Sequence, residues 1–160
     1  MPKVVLVEPE IPPNTGSIAR LCAGMKIELH LVGPLGFSLE DRYLKRAGLD
    51  YWPHVDLHLH EDWAAFMRAH GGERSNFWLL SKKSSRPYTT VEYKDEDWLI
   101  FGKETKGLSP EIVAGFPGRC LRIPIIGQIR SYNLSNAVSI VLFEALRQCR
   151  PEHFRSEEEK

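Results

Sequence analysis

Six short apolar runs, set apart by turns and by segments of helical period, limit this chain to one class of architecture. Val4-Val5-Leu6-Val7 is β-branched and closed by Glu8-Pro9, as expected of a buried strand. Leu29 to Val32 is stopped by Gly33-Pro34, and a weaker run surrounds Val55. Phe77 to Leu80, Trp98 to Phe101 and Leu121 to Ile123 complete the set. Helical stretches fall between them. After the turn from Pro9 to Pro13, Asn14 can cap a helix from about Thr15 to Met25. Ser38 to Ala47 reads as a helix ended by Gly48, and Glu61 to Ala69 as one ended by Gly71-Gly72. A short helix starts at Ser109, and a long one runs from about Leu134 to Gln148. The alternation predicts an α/β fold, a mostly parallel sheet with helices on both faces. Ligands of such sheets sit outside the carboxyl ends of the strands.

The last helix has the clearest period. Leu134, Ala137, Val138, Val141, Leu142, Ala145 and Leu146 form one wide stripe, and Ile140 and Phe143 extend it. A helix apolar over more than half its circumference is expected to be covered on two sides, by its own sheet and by a second subunit, which predicts a homodimer. The 160 residues make one domain over 1–150, with 151–160 a solvated acidic tail. A chain of this length buries enough apolar surface to need no disulfide or metal staple.

Charge excludes some functions and leaves others. Lysine plus arginine equals aspartate plus glutamate, 21 each, so the surface as a whole does not attract polyanions. Glu152, Glu157, Glu158 and Glu159 outweigh Arg155 and Lys160 in the last ten residues, so the body itself is mildly basic. Cys22, Cys120 and Cys149 are odd in number and far apart, which fits a reducing, cytoplasmic setting. No apolar run approaches the roughly 18 residues of a membrane span, and the opening run is too short for a signal peptide.

Several familiar signatures are missing. Neither G-x-G-x-x-G nor G-x-S-x-G occurs, and Gly102-Lys103 lacks the flanking residues of a P-loop. His54, His58 and His60 would share a face if their stretch were a strand. With no cysteine or acid nearby at a metal-site spacing, they read as surface or edge-strand histidines, and no metal is expected.

Three segments that follow predicted strands are dense in glycine and polar residues. They are Asn14-Thr15-Gly16-Ser17-Ile18-Ala19-Arg20, Phe101-Gly102-Lys103-Glu104-Thr105-Lys106-Gly107, and Arg122-Ile123-Pro124 through Ser131-Tyr132-Asn133-Leu134-Ser135-Asn136. A glycine directly after a strand lets a ligand or another backbone come close. The Ser/Asn cluster supplies helix caps and spare hydrogen-bonding groups.

Together these segments resemble the three motifs of the SPOUT class of RNA methyltransferases. N-x-x-x-x-x-R matches the first, F-G-x-E-x-x-G the second, and I-P through S-x-N-x-S-N-A-V-S the third. The opening Glu8-Pro9-Glu10-Ile11-Pro12-Pro13-Asn14-Thr15-Gly16 and the ending Asn133 to Ser139 are also similar to the small, single-domain members that methylate a tRNA wobble ribose. The resemblance spans about residues 3–150.

That resemblance implies a deep C-terminal trefoil knot holding S-adenosylmethionine, with Leu80, Gly102, Ile123, Ser131 and Leu134 binding it. It implies methyl transfer to the 2′-hydroxyl of cytidine or uridine in the tRNA anticodon stem-loop. Arg20 matches the arginine used in catalysis, and Glu104 and Asn133 match residues that support the site. No histidine lies in any of the three motifs. An arginine is by its ordinary pKa a poor base, so Arg20 either takes the proton or positions the hydroxyl and a phosphate. Phe143 stands where some relatives carry tyrosine, so no role of that hydroxyl applies.

Lys82, Lys83, Arg86 and Arg130 are placed to hold RNA phosphates by salt-dependent attraction, with Lys103, Lys106 and Arg122 beside them. Tyr132 is suited to stacking on a base. Two other readings stay open: a catalytically silent RNA-binding or ribosome-assembly module of the same fold, and a 2′-O-methyltransferase acting elsewhere in tRNA or rRNA.

Overall fold

Strand β1 (Lys3–Val7) alternates its side chains between two cores, which places it in the middle of a sheet covered on both faces. A computed structural model describes residues 1–40 and 51–155. Beyond β1 it contains α1 (Pro12–Met25), β2 (Leu29–Val32), β3 (Leu57–His60), α2 (Trp63–His70) and β4 (Phe77–Leu80). There follow β5 (Trp98–Phe101), α3 (Pro110–Ala114), β6 (Cys120–Leu121) and α4 (Leu134–Cys149). Among the described residues, six strands form one sheet in the order β3-β2-β1-β5-β4-β6, and each of its pairings is parallel.

On one face, Val4, Leu6, Leu29, Leu31, Leu99 and Phe101 meet Ile18, Ala19 and Cys22 of α1 and Val138, Val141, Leu142, Ala145 and Leu146 of α4. On the other, Val5, Val7, Val32, Ile100, Phe77, Leu79 and Trp98 meet Phe66 of α2 and Phe116, with Ile112 and Val113 of α3 packed alongside. Each such large side chain contributes roughly 1.5–3 kcal/mol when fully buried. The stripe on α4 faces the first core as its period predicts, while Ile140 is half-buried and Phe143 is exposed. The Phe143 ring meets that of Phe154, also exposed, edge to face at 6.0 Å.

Four boundaries differ from the sequence reading. Helix α1 starts at Pro12, not Thr15, and Asn14 lies inside its first turn, so it is not the cap. Pro12 and Pro13 occupy the first two helical positions, where a residue without an N–H leaves nothing to cap. The strand expected around Val55 forms at Leu57–His60, because Trp52–His54 is taken up by a 3-10 turn. The predicted strand through Ile123 ends at Leu121, where Arg122 turns to bond with the loop after β4: its N–H donates to Arg86 and its carbonyl accepts from Tyr88. Helix α2 begins at Trp63 rather than Glu61, capped by Asp62, whose carboxylate accepts from the Ala65 N–H. The helix expected over Ser38–Ala47 lies, from residue 41 on, outside the described residues, as does the tail from residue 156. Among the described residues, no helix is long and apolar enough to cross a membrane.

Candidate functional site

Strands β5, β4 and β6 are neighbours, so the loops that leave their carboxyl ends converge on one place. They enclose a cavity of about 570 Å³, within the size range of small-molecule sites. Leu80, Phe101, Leu108, Ile123, Leu134 and Ala137 give it apolar walls, and Ser131, Tyr132, Asn133 and Glu104 bring polar groups to them. Lys82, Lys83, Lys103 and Lys106 also line it.

Gly102 makes the second loop possible. A Cβ there would overlap the Gly107 carbonyl carbon and the Leu108 nitrogen, because the loop folds back on its own start. The Gly107 N–H donates to the Lys103 carbonyl at 2.8 Å, and Gly107 itself takes φ +68°, a conformation that favours glycine. The close approach at Gly102 is therefore backbone to backbone.

Glu104 on that loop holds the start of α1. Its Oε2 accepts from the Glu10 N–H at 2.8 Å, and its Oε1 accepts from the Ile11 N–H at 3.2 Å and from Asn14 Nδ2 at 3.1 Å. Thr105 Oγ1 donates to the Glu10 carboxylate, 2.8 Å from Oε2. Asn14, buried at 7% exposure, then accepts on Oδ1 from Asn133 Nδ2 at 2.8 Å. Asn133 in turn caps α4, its Oδ1 accepting from the N–H groups of Ser135 and Asn136. One unbroken line of side chains thus joins all three sequence motifs.

Glu8, just past β1, has φ +52°, a strained value for a residue with a side chain. Lys103 Nζ donates to its Oε2 at 2.6 Å, and that hydrogen bond raises the pKa of the lysine. Lys103 therefore stays charged at the cavity wall. Tyr132, partly exposed, donates its hydroxyl to the Pro124 carbonyl at 3.1 Å, which fixes the ring at the rim.

Of the residues singled out from the sequence, Leu80, Gly102, Glu104, Ile123, Ser131, Asn133 and Leu134 all line this one cavity, as do Lys82 and Lys83. Arg20 does not. It stands exposed on α1, six residues or about 9 Å along the helix from Asn14, with its guanidinium 5.6 Å from the centre of the Tyr51 ring. Arg86 lies over Trp78 and donates to the Gly118 carbonyl, and Arg130 is exposed on the segment before α4. Sequence reasoning missed the link that Asn14 makes and the α3 contribution of Val113 and Ala114 to the wall. The proline pair at 12 and 13 was the available signal, since it frees Asn14 from capping.

Residues 1–143 match the family model described as the SpoU rRNA Methylase family. The tRNA (cytidine(34)-2′-O)-methyltransferase of Methylovorus glucosotrophus is 48% identical over 146 residues, covering 91% of this chain and 94% of that protein. The tRNA (cytidine(34)-2′-O)-methyltransferase of Escherichia coli K12 is 46% identical over 149 residues, covering 92% and 94%. A solved structure described as giving insights into the 2-OH methylation of C/U34 on tRNA superposes with a TM-score of 0.87 at 45% identity, covering 92% of this chain and 95% of that one. An AdoMet-bound rRNA methyltransferase from Sinorhizobium meliloti superposes at 0.80 with 28% identity, covering 97% of this chain and 57% of that one. The cavity at the strand ends, tied together from three motifs, is thus that of a methyltransferase fold, and the chain belongs to the SpoU rRNA methylase family.

Proposed function

We propose that this protein transfers a methyl group from S-adenosylmethionine to the ribose 2′-hydroxyl of the wobble nucleotide, cytidine or uridine, in the anticodon loop of tRNA. The observation that carries the reading is the Glu104–Asn14–Asn133 line, which builds one cavity from the three motifs. The relatives named for cytidine-34 ribose methylation, nearly half identical over nine-tenths of the chain, support the choice of nucleotide.

The residues present fit the cofactor. Leu80, Ile123 and Leu134 offer apolar surface to a flat base, Ser131 offers a hydroxyl, and Gly102 lets the loop fold back on itself so that residues 102–108 form part of the wall. When bound, S-adenosylmethionine supplies an electrophilic methyl group on a sulfonium sulfur. The protein's own work is alignment and charge. Holding the ribose oxygen within near-attack distance contributes several kcal/mol, and a cation beside that oxygen favours loss of its proton. Lys82, Lys83 and Lys106 at the cavity, with Arg130 nearby in the chain, hold the RNA phosphates.

Arg20 supplies the cation, to the cavity of a second copy. Its exposed position outside the cavity wall of its own chain supports this, as does the exposed Phe143 on α4, the helix packed against α1. The enzyme then acts as a homodimer in the cytoplasm, where tRNA is found. We infer that the chain reaches the last helix through the trefoil knot that the resemblance implies, a reading that the backbone bonds from Arg122 to the loop after β4 support.

The test is methyl transfer from labelled S-adenosylmethionine to unmodified tRNA, with the product nucleotide mapped. Ribose methylation at position 34 is expected. Binding of tRNA without cofactor binding by calorimetry would establish instead the silent RNA-binding module.

A further inference from the structure

On the second face of the sheet, four histidines meet that take no part in the cavity. His30 lies on β2 and is 1% exposed. His58 sits opposite it on the edge strand β3, His60 follows two residues later on the same face, and His70 closes α2. The sequence reading considered His54 with His58 and His60. The structure leaves His54 on a 3-10 turn and brings in His30 and His70, which lie 40 residues apart.

We propose that His30, His60 and His70 form a binding site for a late first-row divalent cation, zinc above all. One ring nitrogen from each comes within 4.8 Å of those of the other two. Two imidazole nitrogens on a tetrahedral zinc stand about 3.3 Å apart, given zinc–nitrogen bonds of about 2.0–2.1 Å. His30 Nδ1 and His60 Nε2 already lie 3.0 Å apart, and the His70 nitrogen, within 4.8 Å of the others, needs to close by at most about 1.5 Å to reach that spacing. Its ring is nearly perpendicular to both others, at 88° and 83°, so it approaches from a separate direction.

The surroundings suit a metal ligand. Glu28 Oε2 lies 3.3 Å from His30 Nε2. A proton held there by the carboxylate leaves the lone pair of Nδ1 facing His60, the arrangement by which acids orient zinc-binding imidazoles. Glu73 Oε1 stands 3.7 Å from His70 Nδ1, so a second carboxylate offsets the charge of a cation.

In the metal-free protein neutral His60 carries its one ring proton on Nε2, on the line to His30 Nδ1. A cation takes that proton's place, and His60 binds it as the other tautomer, with the proton on Nδ1. A second set, Glu28, His30 and His58, is equally close. The histidine triad is preferred because His58 Nε2 is engaged with Asp56 at 3.0 Å, and because imidazoles suit zinc, copper and nickel. A bound ion would clamp edge strand β3 and the end of α2 onto β2.

The experiment uses the full chain, free of any affinity tag and stripped with a chelator. It is titrated with Zn²⁺ by calorimetry and with Co²⁺ by visible absorption. One ion per chain, intense tetrahedral cobalt bands and a raised melting temperature are expected. His60→Ala and His70→Gln, each at a partly exposed position and checked for an unchanged circular dichroism spectrum, are expected to abolish these effects. Glu28→Gln should weaken binding about 10- to 100-fold, and His58→Ala should leave it unchanged. Absence of saturable binding in the unaltered protein overturns the site. So does binding that survives both His60→Ala and His70→Gln, and so does binding lost in His58→Ala.

Discussion

Asn133 Nδ2 donates to Asn14 Oδ1 over 2.8 Å, joining the first turn of one helix to the cap of another across 119 residues of chain. Asn14 also donates to Glu104, so its amide is used at both ends. Asn14→Ala leaves a carboxylate and an amide without this partner. A loss of about 1–3 kcal/mol in stability is expected, together with weaker binding of S-adenosylmethionine. Urea melts and calorimetry measure the two, and a variant matching the unaltered protein in both would refute the assigned role.

Glu104→Gln keeps the shape of the side chain and removes its charge. Where the carboxylate accepts from two backbone N–H groups and Asn14, the amide turns one nitrogen toward a donor. Methyl transfer is expected to fall at least about tenfold, equivalent to about 1.4 kcal/mol of transition-state stabilisation. The drop should appear in the KM for cofactor, since Glu104 shapes the wall.

Arg20→Ala is expected to lower kcat by about 10²–10³, the scale seen on removing a group that stabilises developing oxyanion charge, while cofactor binding and melting temperature hold. Mixing inactive Arg20→Ala with inactive Glu104→Ala subunits should restore part of the activity, because a mixed dimer regains one complete site. Failure of that restoration, with subunit exchange demonstrated, would show that Arg20 serves its own chain.

Gly102→Ala sets a methyl group against the Gly107 and Leu108 backbone. The loop from 102 to 108 must then open, and an overpacking cost of about 1–3 kcal/mol is expected. Gly72→Ala is a control, since nothing lies within 4 Å of a Cβ there. Thermal melts of the two proteins compare the costs directly.

Stability should also fall with acid in a defined window. His30 is neutral when folded, with its pKa pushed down to about 3 chiefly by burial, whereas the unfolded chain takes up a proton near 6.5. The unfolded state therefore binds more protons between those values, and stability present above about pH 6.5 is lost as pH falls toward 3. Each pH unit well inside that window costs up to about 1.4 kcal/mol per group, and His60 acts in the same direction. Urea melts from pH 7 to 4.5 should show the decline, and His30→Val should flatten it.

Much of this was legible because backbone and core obey short-range rules. Val4 to Val7, Trp98 to Phe101 and the stripe from Leu134 to Leu146 carry their period openly, and all of them form the expected elements. The cavity residues Leu80, Gly102, Ile123 and Leu134 follow from strand ends and motif resemblance. What remained hidden depended on pairings between distant parts of the chain. Asn14 looked like a cap, and its actual partners lie 90 and 119 residues away. Leu57–His60 pairs with β2 although two of its four residues are histidines, since the register with Leu29–Val32 sets that strand. Of the histidine group, His58 and His60 were in view from their alternation, whereas His30 and His70 join them only through the pairing of β3 with β2 and the packing of α2.

The amide link between Asn14 and Asn133 also bears on how the protein is made. Ribosomal synthesis delivers Asn14 early and Asn133 near the end, and Leu134 and Ala137 of the wall emerge later still. An unfinished chain therefore has a sheet to build on but no closed place for a cofactor, and it stays chemically inert until almost its last helix has left the ribosome.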